Sequence, residues 1–426
     1  MASEPAVITS VRALEILDSR GRPTVQVTVT LPDATMAVAG VPSGASTGSR
    51  EAVERRDRDA ARYGGLGVAG AVDAVNGEIA SCLTGREWPA LADIDAALIA
   101  LDGTPDKSRL GANAIVGVSM ACARALAHSD GRELWDWLTP SGVTPRLPVP
   151  HFNVINGGVH APNPLDFQEF MIAPLGAPSF PEAVRAGAEI YASLRGLLAA
   201  KGYATGLGDE GGFAPQITEP EEALDLLVTA IRDAGYVPGR GGVAIALDPA
   251  ASEFRGDDGG YQVAGQALTS SDMIERCAQI TGRFPVWLIE DGLAENDWDG
   301  WAALTQRLGE RITLVGDDIF VTNPAIIADA IARGIGNAAL IKVNQIGTVT
   351  ETLTAIATCR DGGYAQFVSH RSGETTDTFI ADLAVSSGCG MLKTGAPARG
   401  ERVAKYNRLL EIAAARPPMP YGLPGA

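Results

Sequence analysis

Basic residues are scarce in this 426-residue chain: 34 face 51 acidic ones, leaving a net charge of −17, and histidine occurs only four times. That deficit excludes the clustered positive surface that a nucleic-acid groove or an anionic membrane would require. It leaves room for a local cationic pocket able to hold a small anion. Only five of the basic residues are lysine, namely Lys107, Lys201, Lys342, Lys393 and Lys405. Unlike arginine, a buried lysine can give up its proton, so a lysine kept in an apolar strand stands out. The five cysteines (Cys82, Cys122, Cys277, Cys359 and Cys389) are too far apart for a zinc knuckle. Met1 to Arg12 has no secretory pattern, so reduced thiols and a cytoplasmic location are expected. No apolar run approaches the ~18 residues of a membrane helix. Glycine-rich dinucleotide or P-loop fingerprints are missing too, which disfavours an open doubly wound sheet.

What is present divides into two parts. Val25 to Leu31 alternates with the period of a strand and ends at Pro32-Asp33. A loop, Pro42-Ser43-Gly44-Ala45-Ser46-Thr47-Gly48, precedes a helix-rich stretch from Ala52 to Leu138. The mixed-charge run Arg55-Arg56-Asp57-Arg58-Asp59 reads as a solvated face. Three prolines between Thr144 and Pro150 then mark a domain boundary. Beyond them, apolar runs at 243–247, 286–289, 313–315, 339–341, 366–369 and 391–392 alternate with helical stretches. Such runs are the pattern of parallel strands covered on both faces, and their repetition predicts a (β/α) barrel.

The ends of those runs carry polar residues. Asp248, Glu290 and Asp317 end three consecutive runs, Lys342 ends the next, His370-Arg371-Ser372 follows the fifth, and Lys393 ends the last. In a barrel these positions converge on one mouth, where active sites lie. Three carboxylates brought together need a cation, and an all-oxygen donor set suits magnesium. Burial and a neighbouring cation would lower the pKa of Lys342 and make its amine a general base. Arg371, Ser372 and Lys393 suit a phosphate or carboxylate. The chemistry implied is proton removal beside a carboxylate, with the metal taking up the developing charge.

The sequence resembles the enolase family along nearly its whole length. The residues that carry the resemblance include Leu17-Asp18-Ser19-Arg20-Gly21, Ser43 to Gly48, Asn156-Gly157-Gly158-Val159-His160 and Gln168-Glu169-Phe170. Gly208 to Pro215, Ile289 to Leu293, Gly316-Asp317-Asp318, Lys342 to Gly347, Ser369 to Glu374 and Lys393-Thr394-Gly395 complete it. The resemblance implies a small α+β N-terminal domain over 1–140 and, over 141–426, a modified (β/α)8 TIM barrel whose first units break the parallel pattern. It also implies a hydro-lyase that interconverts 2-phosphoglycerate and phosphoenolpyruvate with two magnesium ions, the second recruited with substrate. Asp248, Glu290 and Asp317 would bind the first ion and Ser46 the second. Lys342 would take the C2 proton, and Glu210, with Glu169 beside it, would protonate the departing hydroxyl. Arg371, Ser372, Lys393 and His370 would contact substrate, while His160 and Gln168 would line the closed site. A homodimer or higher homo-oligomer is expected.

Several positions depart from the family pattern. Pro162 and Pro164 stiffen the loop after His160. Leu288 stands two residues before Glu290, where period-2 alternation points it into the barrel, and the bulky Trp287 should then face the helices. Pro249 and Arg255 are also unusual. These changes leave open a specialised relative acting on a phosphono-carboxylate, such as carboxyphosphonoenolpyruvate synthase. A purely non-catalytic binding role is a third reading, disfavoured by the complete set of catalytic residues.

Overall fold

A computed structural model describes residues 6–415 and 419–425. The N-terminal part is an antiparallel three-stranded sheet, β1 (Ser10–Leu17), β2 (Pro23–Thr30) and β3 (Met36–Gly40), in that order. It packs against helix α2 (Ala112–Ser129), which in turn packs against helix α1 (Leu91–Asp102). The strand expected at 25–31 corresponds to β2, which starts two residues earlier and ends one earlier, and whose alternate residues Val25, Val27 and Val29 are fully buried. Small residues bring α2 down onto the sheet. A Cβ on Gly117 would lie 2.8 Å from the Val27 side chain and 2.9 Å from Val41, closer than real contacts allow.

Two expectations fail here for the same physical reason. The stretch after Ala52 is not helical before Ala69, apart from a short turn at Tyr63–Gly65. The mixed-charge run is a solvated face only at Arg58 and Asp59, because the side chains of Arg55, Arg56 and Asp57 satisfy backbone groups. The Arg56 guanidinium donates to the Pro23 and Leu66 carbonyls (both 2.6 Å). Asp57 accepts from Ala69 N and Gly70 N (both 2.8 Å) at the start of a helix. Local charge pattern cannot reveal partners that lie so far along the chain.

The rest of the chain forms a closed eight-stranded barrel. Its strands are β4 (Val149–Asn156), β5 (Glu169–Ala173), β6 (Ala244–Asp248), β7 (Val286–Glu290), β8 (Thr313–Gly316), β9 (Ala338–Ile341), β10 (Ala365–Ser369) and β11 (Met391–Lys393). Strand β5 runs antiparallel to both β4 and β6, and every other neighbouring pair is parallel. The departure from an all-parallel barrel is therefore confined to one strand. Two consecutive helices, α3 (Phe180–Ala200) and α4 (Pro220–Asp233), join β5 to β6. Beyond β6, single helices fill most of the links between strands, among them α5 (Ser270–Arg283), α6 (Trp298–Leu308) and α7 (Pro324–Arg333).

Leu288 is fully buried in the barrel interior beside Ala246, Val315 and Leu340, as alternation predicts. Trp287 does not face the helices. The pairing of β7 with β6 shifts between Val286 and Leu288, so Trp287 is the extra residue of a bulge. Its ring joins the interior cluster at the N-terminal end of the barrel, 5.5 Å from the His151 ring. Among the described residues, no helix is long and apolar enough to cross a membrane.

Candidate active site

Strand direction explains how the polar side chains meet. On the parallel strands the last inward residue lies at the C-terminal mouth, as Asp248, Glu290 and Lys393 do. Strand β5 is reversed, so its first residue, Glu169, reaches that same mouth and pairs in register with Asp248. The next inward residues down the barrel are apolar, namely Met171, Ala246, Leu288, Val315, Leu340, Phe367 and Met391. One layer of charge therefore sits on a floor of hydrocarbon.

Ser46, His160, Gln168, Glu169, Glu210, Asp248, Lys342, His370, Arg371, Ser372 and Lys393, together with Ser369, line one crevice of about 10 Å³. That is room for about one water molecule, so a substrate has to displace the loops above it. The other two expected residues, Glu290 and Asp317, lie against its lysines. Lys393 Nζ donates to Glu290 Oε1 (2.7 Å) and Glu169 Oε1 (3.1 Å) and stands 3.6 Å from Asp248 Oδ2. Lys342 Nζ donates to Asp317 Oδ2 at 2.5 Å.

These contacts set the charge states. Burial works against the Lys342 ammonium, but Asp317 outweighs it and raises the pKa above the usual lysine value. The expected lowering depends on a cation beside the amine, and the carboxylate that the neighbouring strand brings over works in the other direction. Lys393 is buried too, yet Glu169, Glu290 and Asp248 hold it well above the normal range. Burial, and then the charge of Glu210, pushes Glu169 well above the usual carboxyl range. Glu210 goes the other way: burial opposes its ionisation, but His370 and His160 prevail and keep it well below normal. Two neighbouring carboxyls thus titrate far apart.

The imidazoles are oriented by groups outside the expected set. Arg402, fully buried, points Nη1 at His370 Nδ1 (2.5 Å), leaving the ring proton on Nε2, 3.2 Å from Glu210 Oε2. Burial lowers the His370 pKa to about 3, so the ring is neutral. Asn153 Nδ2 donates to the same Glu210 oxygen at 2.9 Å. His160 Nδ1 lies 3.7 Å from Glu210 Oε1 and 4.0 Å from Glu169 Oε1. The loop with Pro162 and Pro164 is tied down by Asn163, whose Nδ2 donates to Asn156 O (2.9 Å) and Pro215 O (3.0 Å).

Arg371 is engaged by the loop that carries Ser46. Its guanidinium donates to both Glu51 oxygens (3.0 and 3.1 Å), to Asn344 Oδ1 (3.0 Å) and to the Ser46 carbonyl (3.2 Å). Gln345 Nε2 joins Glu51 Oε1 (3.2 Å) to the metal-ligand candidate Asp317 Oδ1 (2.8 Å). Sequence reasoning gave no role to Glu51, Asn153, Gln345 or Arg402. Gln345 lies inside a quoted motif, whereas Arg402 sits on a helix with no local signal of its role.

The donor set fits a hard divalent cation. Glu290 Oε2, Glu169 Oε2 and Gln168 Oε1 are buried acceptors with no donor, and oxygens of this kind seek a cation. Two acidic groupings have candidate ligand atoms within 4.8 Å of one another, His160–Glu169–Glu210 and Asp291–Asp317–Asp318. The expected trio Asp248, Glu290 and Asp317 is not such a grouping among the described residues, and lysine ammonium groups take oxygens of all three.

The chain was then compared with known proteins. The family model "Enolase, N-terminal domain" matches residues 8–138, and "Enolase, C-terminal TIM barrel domain" matches residues 144–416. The curated enolase of Mycobacterium leprae (strain TN) is 56% identical over 406 residues, which covers 95% of this chain and 94% of that protein. Matches to both domains and identity at this level over nearly the full length place the chain in the enolase family.

Proposed function

We propose that the chain is a phosphopyruvate hydratase, interconverting 2-phospho-D-glycerate and phosphoenolpyruvate plus water. The observation that carries this reading is the meeting, in one crevice, of Lys342 with the oppositely titrating pair Glu169 and Glu210. Asp248, Glu290 and Asp317 would hold one Mg²⁺, and Ser46 would help hold a second that arrives with substrate. The ions supply positive charge for the carboxylate as its neighbouring carbon loses a proton.

Lys342 accepts the C2 proton as a neutral amine, after its ammonium has passed a proton to solvent and released Asp317, a loss that is favoured once Asp317 is engaged as a metal ligand. Glu210 gives a proton to the departing C3 hydroxyl, with Glu169, whose carboxyl is held well above the usual range, beside it as the source of that proton. Arg371 and Ser372 grip the phosphate, which must compete with Glu51 for the guanidinium. Lys393 contacts the substrate carboxylate. His370 holds Glu210 in place, and His160 and Gln168 close the crevice around the substrate. We further propose domains over 1–140 and 141–426, a cytoplasmic location, and a homodimer or higher assembly. The outer strand β1 of the small sheet supports the assembly, since it exposes Leu14 and Leu17.

No observation favours the phosphonate-directed alternative, and the relative that matches nearly the whole chain is named an enolase. Steady-state dehydration of 2-phosphoglycerate with Mg²⁺ tests the proposal. Turnover within the usual ~1–10³ s⁻¹ is expected. Negligible turnover, alongside activity on a phosphono-carboxylate, would overturn it.

A further inference from the structure

The residue after Glu290 touches all three turns that carry the expected metal ligands. Asp291 is buried and has φ +40°, a left-handed backbone that non-glycine residues seldom adopt. Its amide donates to Val315 O (3.0 Å), two residues before Asp317. Its carbonyl accepts from Ala251 N (3.1 Å), in the turn that follows Asp248. Its carboxylate accepts from Asp317 N (Oδ1, 2.8 Å) and Asp318 N (Oδ2, 2.9 Å). One residue thus links the ends of β6, β7 and β8 through four hydrogen bonds. Each carboxylate oxygen accepts an amide hydrogen, so the side chain holds the backbone at the start of the turn that carries Asp317.

We propose that Asp291 is a positioning residue that sets the spacing of Asp248, Glu290 and Asp317 for a divalent cation. This rests on the metal-site reading given above. The unusual backbone at Asp291 fits such a role, because strained conformations persist where the surroundings over-determine them. A merely structural residue would stabilise the fold without affecting how well the ion is held.

Asp291→Asn in the full chain is the direct test, since an amide nitrogen cannot accept the hydrogen bond that a carboxylate oxygen accepts. Mn²⁺ binding is titrated by the EPR signal of the free ion, well below the melting temperature, and melting is followed in chelator. The expected result is Mn²⁺ affinity weakened about 10–100-fold, the usual cost of losing a group that orients ligands, with chelated protein still folded at the titration temperature. Unchanged Mn²⁺ affinity overturns the proposal, whether or not the melting temperature falls. Asp291→Glu keeps the charge and both acceptors but displaces them, and it decides the matter if the asparagine variant does not fold. Weaker Mn²⁺ binding by the glutamate variant supports the proposal, and wild-type affinity rejects it. Failure of wild-type protein to bind Mn²⁺ would be a different result, rejecting the metal-site reading itself.

Discussion

Strand β7 carries Leu288 and Glu290 on the same inward side, two residues and one layer apart. Both are fully buried. Leu288 packs among Ala246, Val315 and Leu340, whereas Glu290 has one oxygen on an ammonium group and the other without any donor. The same step from apolar floor to polar mouth recurs at Ala246 and Asp248, at Val315 and Asp317, at Leu340 and Lys342, and at Met391 and Lys393. The lower layer is satisfied by its own packing. In the upper layer, charges are crowded and acceptors lack donors, an arrangement that protein contacts alone leave incomplete. Replacements below the boundary should therefore cost stability, and replacements above it should cost chemistry.

A large effect on dehydration is expected in the upper layer from a change at the proton donor. Glu210→Gln should lower dehydration of 2-phosphoglycerate by about 10²–10⁴-fold. Exchange of the C2 proton with solvent should remain detectable by NMR, because Lys342 acts in a separate step. Equal loss of both would merge the two roles. In the lower layer, Leu288→Ala should cost about 2–5 kcal/mol in urea unfolding, through lost burial and the cavity left behind. Its Mn²⁺ affinity should match the wild type, and a large loss of affinity would erase the boundary between the layers.

The smallest effect belongs to His151, whose ring packs 4.6 Å from Phe367 in the lower layer and whose Nε2 has no partner. Burial takes its pKa down from 6.5 to about 3. The unfolded chain therefore binds a proton that the folded one refuses, and stability is lost as pH falls from about 6.5 toward 3. His151→Phe keeps an aromatic ring and removes that penalty, so acid unfolding, followed by circular dichroism, should move to lower pH. An unmoved midpoint would mean that other groups govern acid unfolding.

Much of this arrangement was legible in the chain. The six apolar runs from 243 to 392 coincide with barrel strands, and most of the polar residues that end them line one crevice. Asp248, Glu290 and Asp317, however, do not form one ligand grouping among the described residues. The first two barrel strands were not legible by pattern. Strand β4 reads Val-Pro-His-Phe-Asn-Val-Ile-Asn, in which a proline and two buried asparagines interrupt the apolar run. Strand β5 carries no local signal of its reversed direction, which is fixed by the strands it pairs with. Trp287 was misplaced because a bulge breaks the alternation on which facing was judged. The raised pKa of Lys342 and the part played by Arg402 depend on contacts between distant segments, which no local window contains. Resemblance to a family supplied the roles, and geometry supplied the charge states.

The account depends on the amine of Lys342 being the group that removes a proton from carbon in a site completed by a divalent cation. Solvent deuterium exchange at C2 of 2-phosphoglycerate, followed by NMR with Mg²⁺ present, measures that step alone. Wild-type protein should exchange the C2 proton and stop when the cation is chelated. Lys342→Ala should show no exchange while still binding Mn²⁺. Exchange that persists in the alanine variant, or in chelated wild type, would contradict the account.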